Sequence, residues 1–93
     1  LYTDAWIRKG VTLHDDGNYH DAEKCLSEAV RLNQTSFKAL YNRGKNRLKS
    51  NNEDGAATDF SRAITIKPEH PKAHELFGDA LMKLGKEDEA ALQ

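Results

Sequence analysis

Apolar residues recur along this chain at spacings of three and four, which is the period of an amphipathic α-helix. Residues 19–32 give the clearest example, because Ala22, Leu26, Ala29 and Val30 fall on one face of such a helix. Alternation of apolar and polar residues, which marks a half-buried strand, is not found in the sequence. The pattern therefore predicts an all-α protein with six helical segments, at about residues 3–15, 19–32, 37–50, 53–66, 71–84 and 87–93.

Polar turns and helix-breaking residues separate these segments. Gly17 suits the left-handed conformation that often follows the last turn of a helix. Pro68 cannot continue the fourth helix, because it lacks a backbone N–H and its ring clashes with the preceding turn. Gly85 is predicted to end the fifth helix. The segments thus pair into hairpins of two antiparallel helices.

The hairpins repeat with a fixed period. Gly10, Gly44 and Gly78 lie 34 residues apart, and so do Ala22, Ala56 and Ala90. A single helical hairpin exposes an apolar flank that it cannot bury, and a stacked neighbour buries that flank and offers a new one. Small residues at fixed positions allow the paired helices to approach closely. A 34-residue period of this kind predicts an antiparallel helix-hairpin solenoid.

At these positions the chain resembles the tetratricopeptide repeat family, and the resemblance covers nearly its whole length. It implies one domain over residues 1–93, coiled as a right-handed superhelix, with full repeats at about residues 3–36 and 37–70 and a truncated third at about 71–93. Because the chain begins at Leu1, we expect it to be a part of a longer protein. The residues that carry the pattern are Trp6, Gly10, Ala22, Leu26 and Ala29, then Leu40, Gly44, Ala56, Phe60, Ala63 and Pro68, then Phe77, Gly78, Leu81 and Ala90.

The sequence departs from the family pattern at four positions. Lys9 and Arg43 stand where the family often has Leu, and Arg47 stands where it often has Tyr. Gln34 replaces the Pro that often closes a repeat. These departures leave the local packing open, but they do not affect the expected architecture.

Composition excludes several classes of function. The net charge of −1 provides no basic field for nucleic acid or for an anionic membrane. No apolar run approaches the ~20 residues of a membrane-spanning helix. Cys25, the single cysteine, lies in an apolar stripe and is expected to be a small core residue, which fits the cytoplasm or another reducing compartment. Whether Asn33, in an Asn-Gln-Thr acceptor pattern, is glycosylated stays open.

Catalytic and metal-binding patterns are weak. No glycine-rich phosphate loop follows a strand, and no nucleophile stands in a supporting context, so we expect no enzyme activity and no cofactor. His70 and His74 are four residues apart, a spacing that can chelate a metal on one helix face. No third ligand accompanies them, and the sequence predicts no metal site.

The family resemblance implies a candidate functional surface. The first helix of each hairpin lines a concave groove, which typically binds a peptide segment or a helix of another protein. The central part of this groove is basic, so an acidic or carboxylate-bearing peptide is the expected ligand, although such lysines often form only a solvated face. The predicted groove residues are Arg8, Val11, Lys38, Tyr41, Asn42, Lys45, Lys49, Lys72, Leu76 and Asp79.

One subfamily binds the C-terminal carboxylate of chaperones through a clamp of Lys, Asn and Arg at five positions. Asn42 and Lys72 match two of those positions. The other three hold Ile7, Val11 and Leu76, which cannot pair with a carboxylate. The resemblance therefore implies a scaffold that is similar to a co-chaperone, but it disfavours recognition of a chaperone tail.

Two hypotheses of different class follow. The first is a protein-interaction module that binds a peptide or helical segment of a partner in the groove, without nucleic acid or membrane. The alternative is an assembly element, because the last hairpin is incomplete and leaves Ala80, Leu81 and Leu84 without a cover. A second copy, as in a homo-oligomer, or the rest of the parent chain would then supply that cover.

Overall fold

A computed structural model describes the backbone of residues 2–92 and the side chains of residues 2–86. Residues 2–92 contain helices and turns but no strand, which confirms the predicted all-α fold. The helices are α1 (Tyr2–Asp15), α2 (Tyr19–Leu32), α3 (Phe37–Lys49), α4 (Glu53–Ile66) and α5 (Pro71–Leu92).

The helices stack in chain order. α1 pairs with α2 and α3 pairs with α4 as hairpins, while α2 contacts α3 and α4 contacts α5 between repeats. α3 also touches α1 on one side and α5 on the other, so the first helices of successive repeats lie side by side. The molecule is elongated, with extents of 48 × 29 × 19 Å. This arrangement is the predicted hairpin solenoid.

The turn inside each hairpin uses the same two residue positions, 34 apart. Gly17 and Asn51 adopt left-handed conformations, with φ of 81° and 64°. The next residue, Asn18 or Asn52, caps the following helix by accepting a hydrogen bond from the backbone N–H three residues later. In both hairpins the chain therefore reverses direction at a left-handed residue that is followed by a capping Asn.

Two apolar clusters form the core. Cys25 is buried in α2, as predicted, and Phe60 is the largest fully buried side chain of residues 2–86. The first cluster joins repeats one and two, and the second joins α4 to α5. Their buried members are Ile7, Ala29, Val30, Ala39, Leu40 and Ala63 in the first and Ala56, Ala57, Phe60 and Ala80 in the second.

The repeated glycines mark close approaches within the hairpins. A Cβ atom added to Gly10 would lie 2.6 Å from Cγ of Leu26, and one added to Gly44 would lie 2.8 Å from Cε1 of Phe60. Both positions therefore need glycine for the paired helix to come this near. A Cβ atom added to Gly78 would meet nothing within 4 Å among the described residues. Among the described residues, no helix packs on the glycine of the third repeat.

The predicted end of the fifth helix at Gly85 is wrong. α5 continues to Leu92, so the predicted sixth segment is its last turns and not a separate helix. Gly85 stands in register with Gly17 and Asn51, where the chain does reverse. In those two repeats the returning helix packs on the first one. At Gly85, nothing among the described residues lies within 4 Å of an added Cβ atom, and the backbone hydrogen bonds continue the helix.

Candidate peptide-binding groove

α1, α3 and α5 present two hollows along the side where they lie next to each other. The first, which we name the N-terminal hollow, lies between α1 and α3 and measures about 420 Å³. It combines apolar side chains with one acidic and two basic ones. Its lining residues are Asp4, Ile7, Arg8, Val11, Thr12, Lys38 and Asn42.

The second, the C-terminal hollow, lies between the end of α3 and the middle of α5 and measures about 460 Å³. It has three lysines, one aspartate and an apolar floor. Its lining residues are Leu48, Lys49, Asn51, Leu76, Asp79, Met82, Lys83 and Lys86.

These hollows bring together seven of the ten predicted groove residues. Four of them lie in the N-terminal hollow and three in the C-terminal hollow. The structure therefore gathers most of the predicted set into two neighbouring places, although their role in binding stays a prediction. The seven are Arg8, Val11, Lys38 and Asn42, then Lys49, Leu76 and Asp79.

The other three predicted residues lie outside both hollows. Tyr41 is half-buried, with its ring stacked on Phe37 at 5.3 Å and edge-on to Phe60 at 6.2 Å, so it mainly packs against the core. Lys45 places its Nζ 5.4 Å from the centroid of the Tyr41 ring, a cation–π distance. Lys72 forms an exposed ion pair of 3.6 Å with Glu75. These three positions are already engaged within the chain.

Asn42 is the polar centre of the N-terminal hollow. Its Nδ2 donates a hydrogen bond of 2.8 Å to the backbone carbonyl of Lys38, which orients the amide on α3. No second partner of this amide occurs among the described residues, so its Oδ1 and one N–H stay available for a ligand backbone. Beside it, Ile7 is only 5% exposed and provides apolar floor.

Two features are absent from the described part of the chain. Residues 2–86 contain no group of three or more His, Cys, Asp or Glu side chains that could hold a metal ion. No helix in the described part of the chain is long and apolar enough to cross a membrane. What the hollows offer is non-covalent recognition by cationic, amide and aliphatic groups.

Comparison with known proteins identifies the family. Two overlapping stretches of the chain, residues 7–71 and 41–93, match the family model of the tetratricopeptide repeat. The chain belongs to the tetratricopeptide repeat family. Among curated proteins it is similar to the STIP1 homolog of Dictyostelium discoideum, with 33% identity over 82 residues. That match covers 88% of this chain but only 14% of the STIP1 homolog.

Solved tetratricopeptide structures superimpose closely on this one. The second TPR of Spaghetti (RPAP3), bound to the HSP90 peptide SRMEEVD, gives a TM-score of 0.88 at 24% identity, covering 99% of this chain and 85% of that one. A crystal structure of MamA gives 0.86 at 26% identity, covering 95% and 52%. These likenesses confirm the fold of the tetratricopeptide domain.

The arginines that depart from the family pattern point away from the groove. Arg43 on α3 donates two hydrogen bonds, of 2.9 and 2.8 Å, to the carboxylate of Asp59 on α4. Arg47 lies 3.3 Å from the same carboxylate and also donates to Glu23 on α2, at 3.1 and 3.0 Å. We name these four residues, with Ser27, the ionic junction. It ties the second helices of repeats one and two to the helix between them.

The ionic junction sets the protonation of its most exposed acid. Burial raises the pKa of Glu23, but the hydrogen bonds from Arg47 and Ser27 and the charges of Arg47 and Arg43 outweigh it, so the pKa lies below its usual value. Glu23 is therefore held as a carboxylate. Its charge maintains the position of Arg47, which in turn reaches the fully buried Asp59.

Sequence reasoning missed two buried polar residues, Asp59 and Asn46. Asn46 is fully buried, accepts from Nδ1 of His14 at 2.9 Å and donates to the backbone carbonyl of Tyr19 at 2.9 Å. A signal for Asp59 did exist, because it stands 34 residues after Cys25, at a position predicted to be core. An acid at a core position opposite two arginines predicts a buried ion pair.

Proposed function

We propose that this tetratricopeptide domain is a protein-interaction module that holds an acidic segment of a partner protein in the groove of α1, α3 and α5. One observation carries the proposal: two hollows on the first helices of the repeats, one at the start of α3 and one at its end, each combine cationic and aliphatic side chains. Such a surface suits a peptide better than a small molecule, because its polar groups are spread along the groove.

The charge of the groove favours acidic partners. Five cationic side chains line the two hollows, against the carboxylates of Asp4 and Asp79. A surplus of positive charge speeds the encounter with an acidic segment and disfavours a basic one. Asn42 would then pair with the backbone of the segment, which fixes its position along the groove.

Chaperones are one class of partner that the relatives suggest, since the Spaghetti domain was solved with an HSP90 peptide. In this chain, however, the clamp positions at Ile7, Val11 and Leu76 are apolar, and Ile7 is buried. A terminal carboxylate would find only Asn42 and Lys72 there. We therefore propose that acidic side chains within the segment, and not a chain terminus, are the main determinant.

Fluorescence anisotropy with a labelled SRMEEVD peptide tests this proposal. One hollow cation is reversed in each half of the groove, as Lys38→Glu with Lys49→Glu, and affinity is expected to fall at least about tenfold, or ~1.4 kcal/mol. The matched control reverses two exposed cations outside the groove, Lys24→Glu with Arg62→Glu, and should leave the affinity unchanged. Equal binding by the wild type and the groove variant would rule out this groove.

The C-terminal amide of the same peptide separates the two modes of recognition. If internal acidic residues dominate, the amide binds within about threefold of the free acid, because only one of several charges is lost. A much larger loss for the amide would instead identify a carboxylate clamp.

The predicted alternative is an assembly element. Of the three residues expected to lack a cover, Ala80 is buried and Leu84 packs against the second apolar cluster, whereas Leu81 is exposed. Leu81 is 48% exposed and Met82 is 64% exposed on α5, and the face at Gly78 is open among the described residues. Light scattering on the sample used for the titration gives its mass. A dimer whose mass persists on peptide addition would favour assembly through this face, and a strictly monomeric, well-folded protein would rule out self-assembly.

A further inference from the structure

We propose that the C-terminal hollow is the acid-selective subsite of the groove, where an aliphatic side chain of the bound segment sits between carboxylates that pair with Lys49, Lys83 and Lys86. This inference rests on the proposed peptide-binding function and states where its specificity lies. It assigns that role to positions outside the carboxylate clamp.

The lysines of this hollow come from two elements and converge on one space. Lys49 ends α3, while Lys83 and Lys86 lie on the facing part of α5. Within residues 2–86, none of the three forms an ion pair with a carboxylate. Lys72, in contrast, is already paired with Glu75. The three lysines of the hollow therefore have no carboxylate partner among residues 2–86.

The floor of the hollow is aliphatic, and two of its three side chains are held in place by the core. Leu48 and Leu76 are half-buried because they pack against the second apolar cluster, around Phe60. Met82 completes the floor but is 64% exposed. An unbranched thioether adapts to apolar groups of different shape. A partner side chain such as Leu, Met or Val would cover Met82 and remove apolar surface from water.

Asp79 restricts how a segment can lie. Its carboxylate lines the same hollow and repels an acidic group placed next to it. Carboxylates of the segment must therefore sit near the lysines, whereas a backbone N–H can approach Asp79. One acidic residue on each side of the aliphatic one satisfies both requirements, which gives the expected order acid–aliphatic–acid.

The N-terminal hollow differs in the same properties. It has two cations, Arg8 and Lys38, against Asp4, and the floor residue Ile7 is buried. It offers Asn42 for backbone pairing in place of a third cation. We therefore assign positioning of the segment to the N-terminal hollow and selection for acidic residues to the C-terminal one.

The test uses labelled acetyl-Glu-Glu-Leu-Glu-Glu-amide, which has no terminal charge, together with its all-Gln analogue and its Leu→Ser analogue. On the wild type, we expect the Gln analogue to bind at least about tenfold more weakly and the Ser analogue about threefold more weakly. Equal binding of the Leu and Ser peptides would overturn the aliphatic part of the proposal.

Two matched variants locate the subsite. Lys83→Gln with Lys86→Gln should weaken the Glu-Leu peptide about tenfold, a larger loss than Arg8→Gln with Lys38→Gln causes, and the matched control outside the groove, Lys24→Gln with Arg62→Gln, should change it by less than about threefold. These residues are exposed, so the fold should persist, and helical circular dichroism checks it. The reverse ranking would overturn this inference but leave the groove function intact. If no peptide binds the wild type, both proposals fail.

Discussion

α3 and α5 hold the same position in successive repeats, but they contact their neighbours through opposite chemistry. On α3, Arg43 and Arg47 reach the second helices and meet carboxylates there, at positions beside the apolar contacts of Leu40 and Tyr41. On α5 the residues 34 positions later are Phe77 and Leu81, and Phe77 packs against the apolar cluster around Phe60. Equivalent positions of the repeat can thus hold either the ionic junction, as on α3, or apolar side chains, as on α5. We name Phe77 and the apolar cluster on which it packs the apolar junction.

The two junctions differ in what they require of their surroundings. Bidentate pairing of Arg43 with Asp59 is directional and needs every partner in place, because the carboxylate is fully buried. Apolar packing is non-directional and tolerates an open side, as at Leu81. α3 therefore has a defined neighbour on each face, whereas the described part of the chain anchors α5 on one face.

The largest expected effect comes from breaking the ionic junction at its buried end. Asp59→Ala leaves the guanidinium of Arg43 buried without its carboxylate, and we expect a loss of about 3–5 kcal/mol in the free energy of unfolding. Urea denaturation followed by circular dichroism measures it.

An apolar replacement should reverse much of that loss. The triple variant Asp59→Ala with Arg43→Phe and Arg47→Leu gives α3 the residues of α5 at these positions. It removes the two buried cations and leaves only Glu23, a partly exposed acid, without its partner. Well-packed apolar groups often replace a buried ion pair without loss. If the triple variant were as unstable as Asp59→Ala alone, the two junctions would not be interchangeable.

The next largest effects on stability are expected from alanine substitutions of the equivalent glycines of α3 and α5. Gly44→Ala puts a Cβ atom 2.8 Å from Cε1 of Phe60, so the core must shift. We expect the clash to lower the free energy of unfolding by about 1–3 kcal/mol. The better helix propensity of alanine should offset up to about 1 kcal/mol of that loss. Gly78→Ala meets nothing within 4 Å and should stabilise α5 by about 0.5–1 kcal/mol.

The opposite signs are what make this pair informative, and thermal unfolding of both variants under one buffer records them. A loss of stability in Gly78→Ala would mean that a helix covers this face of α5 in solution, as α4 covers Gly44.

The fold was largely predictable because the same pattern of apolar and small residues occurs three times along the chain. The helix period and the 34-residue spacing of Gly10, Gly44 and Gly78 predict the hairpins without reference to any distant contact. Gly85 shows where this reasoning fails. Its residue type suits a turn, but a turn forms only when the returning helix is stabilised by packing, as Leu26 and Phe60 do in the first two repeats.

The candidate site was predictable only in part. Spacing along a helix places Arg8, Asn42 and Lys49 on the groove side, but it does not tell which side chains the chain itself engages. Tyr41 packs on Phe37, and Lys72 pairs with Glu75, because of neighbours whose distances depend on the tertiary fold. Lys86 lines the C-terminal hollow because α5 continues past the expected end.

The smallest expected effect is a pH dependence of the free energy of unfolding, which Glu23 gives to the ionic junction and which the apolar contacts of Phe77 lack. The folded-state pKa of Glu23 lies below its unfolded value, because the hydrogen bonds and charge of Arg47 outweigh burial. Its contribution is therefore complete above the unfolded carboxyl pKa of about 4.3 and is lost as the pH falls through the lower folded value. Since Glu23 is partly exposed, solvent screening limits that contribution to about 1 kcal/mol or less.

Urea unfolding of the wild type and Glu23→Gln between acidic and neutral pH should show a constant difference at pH above about 5 that shrinks below about pH 4. Phe77→Leu, in the apolar junction, should keep the same difference from the wild type throughout, because neither residue titrates. The remaining carboxylates titrate in all three proteins and cancel in the differences. A Glu23→Gln difference that stayed constant to the acid end would remove Glu23 from the ionic junction, leaving Arg43 and Asp59 as its only strong pair.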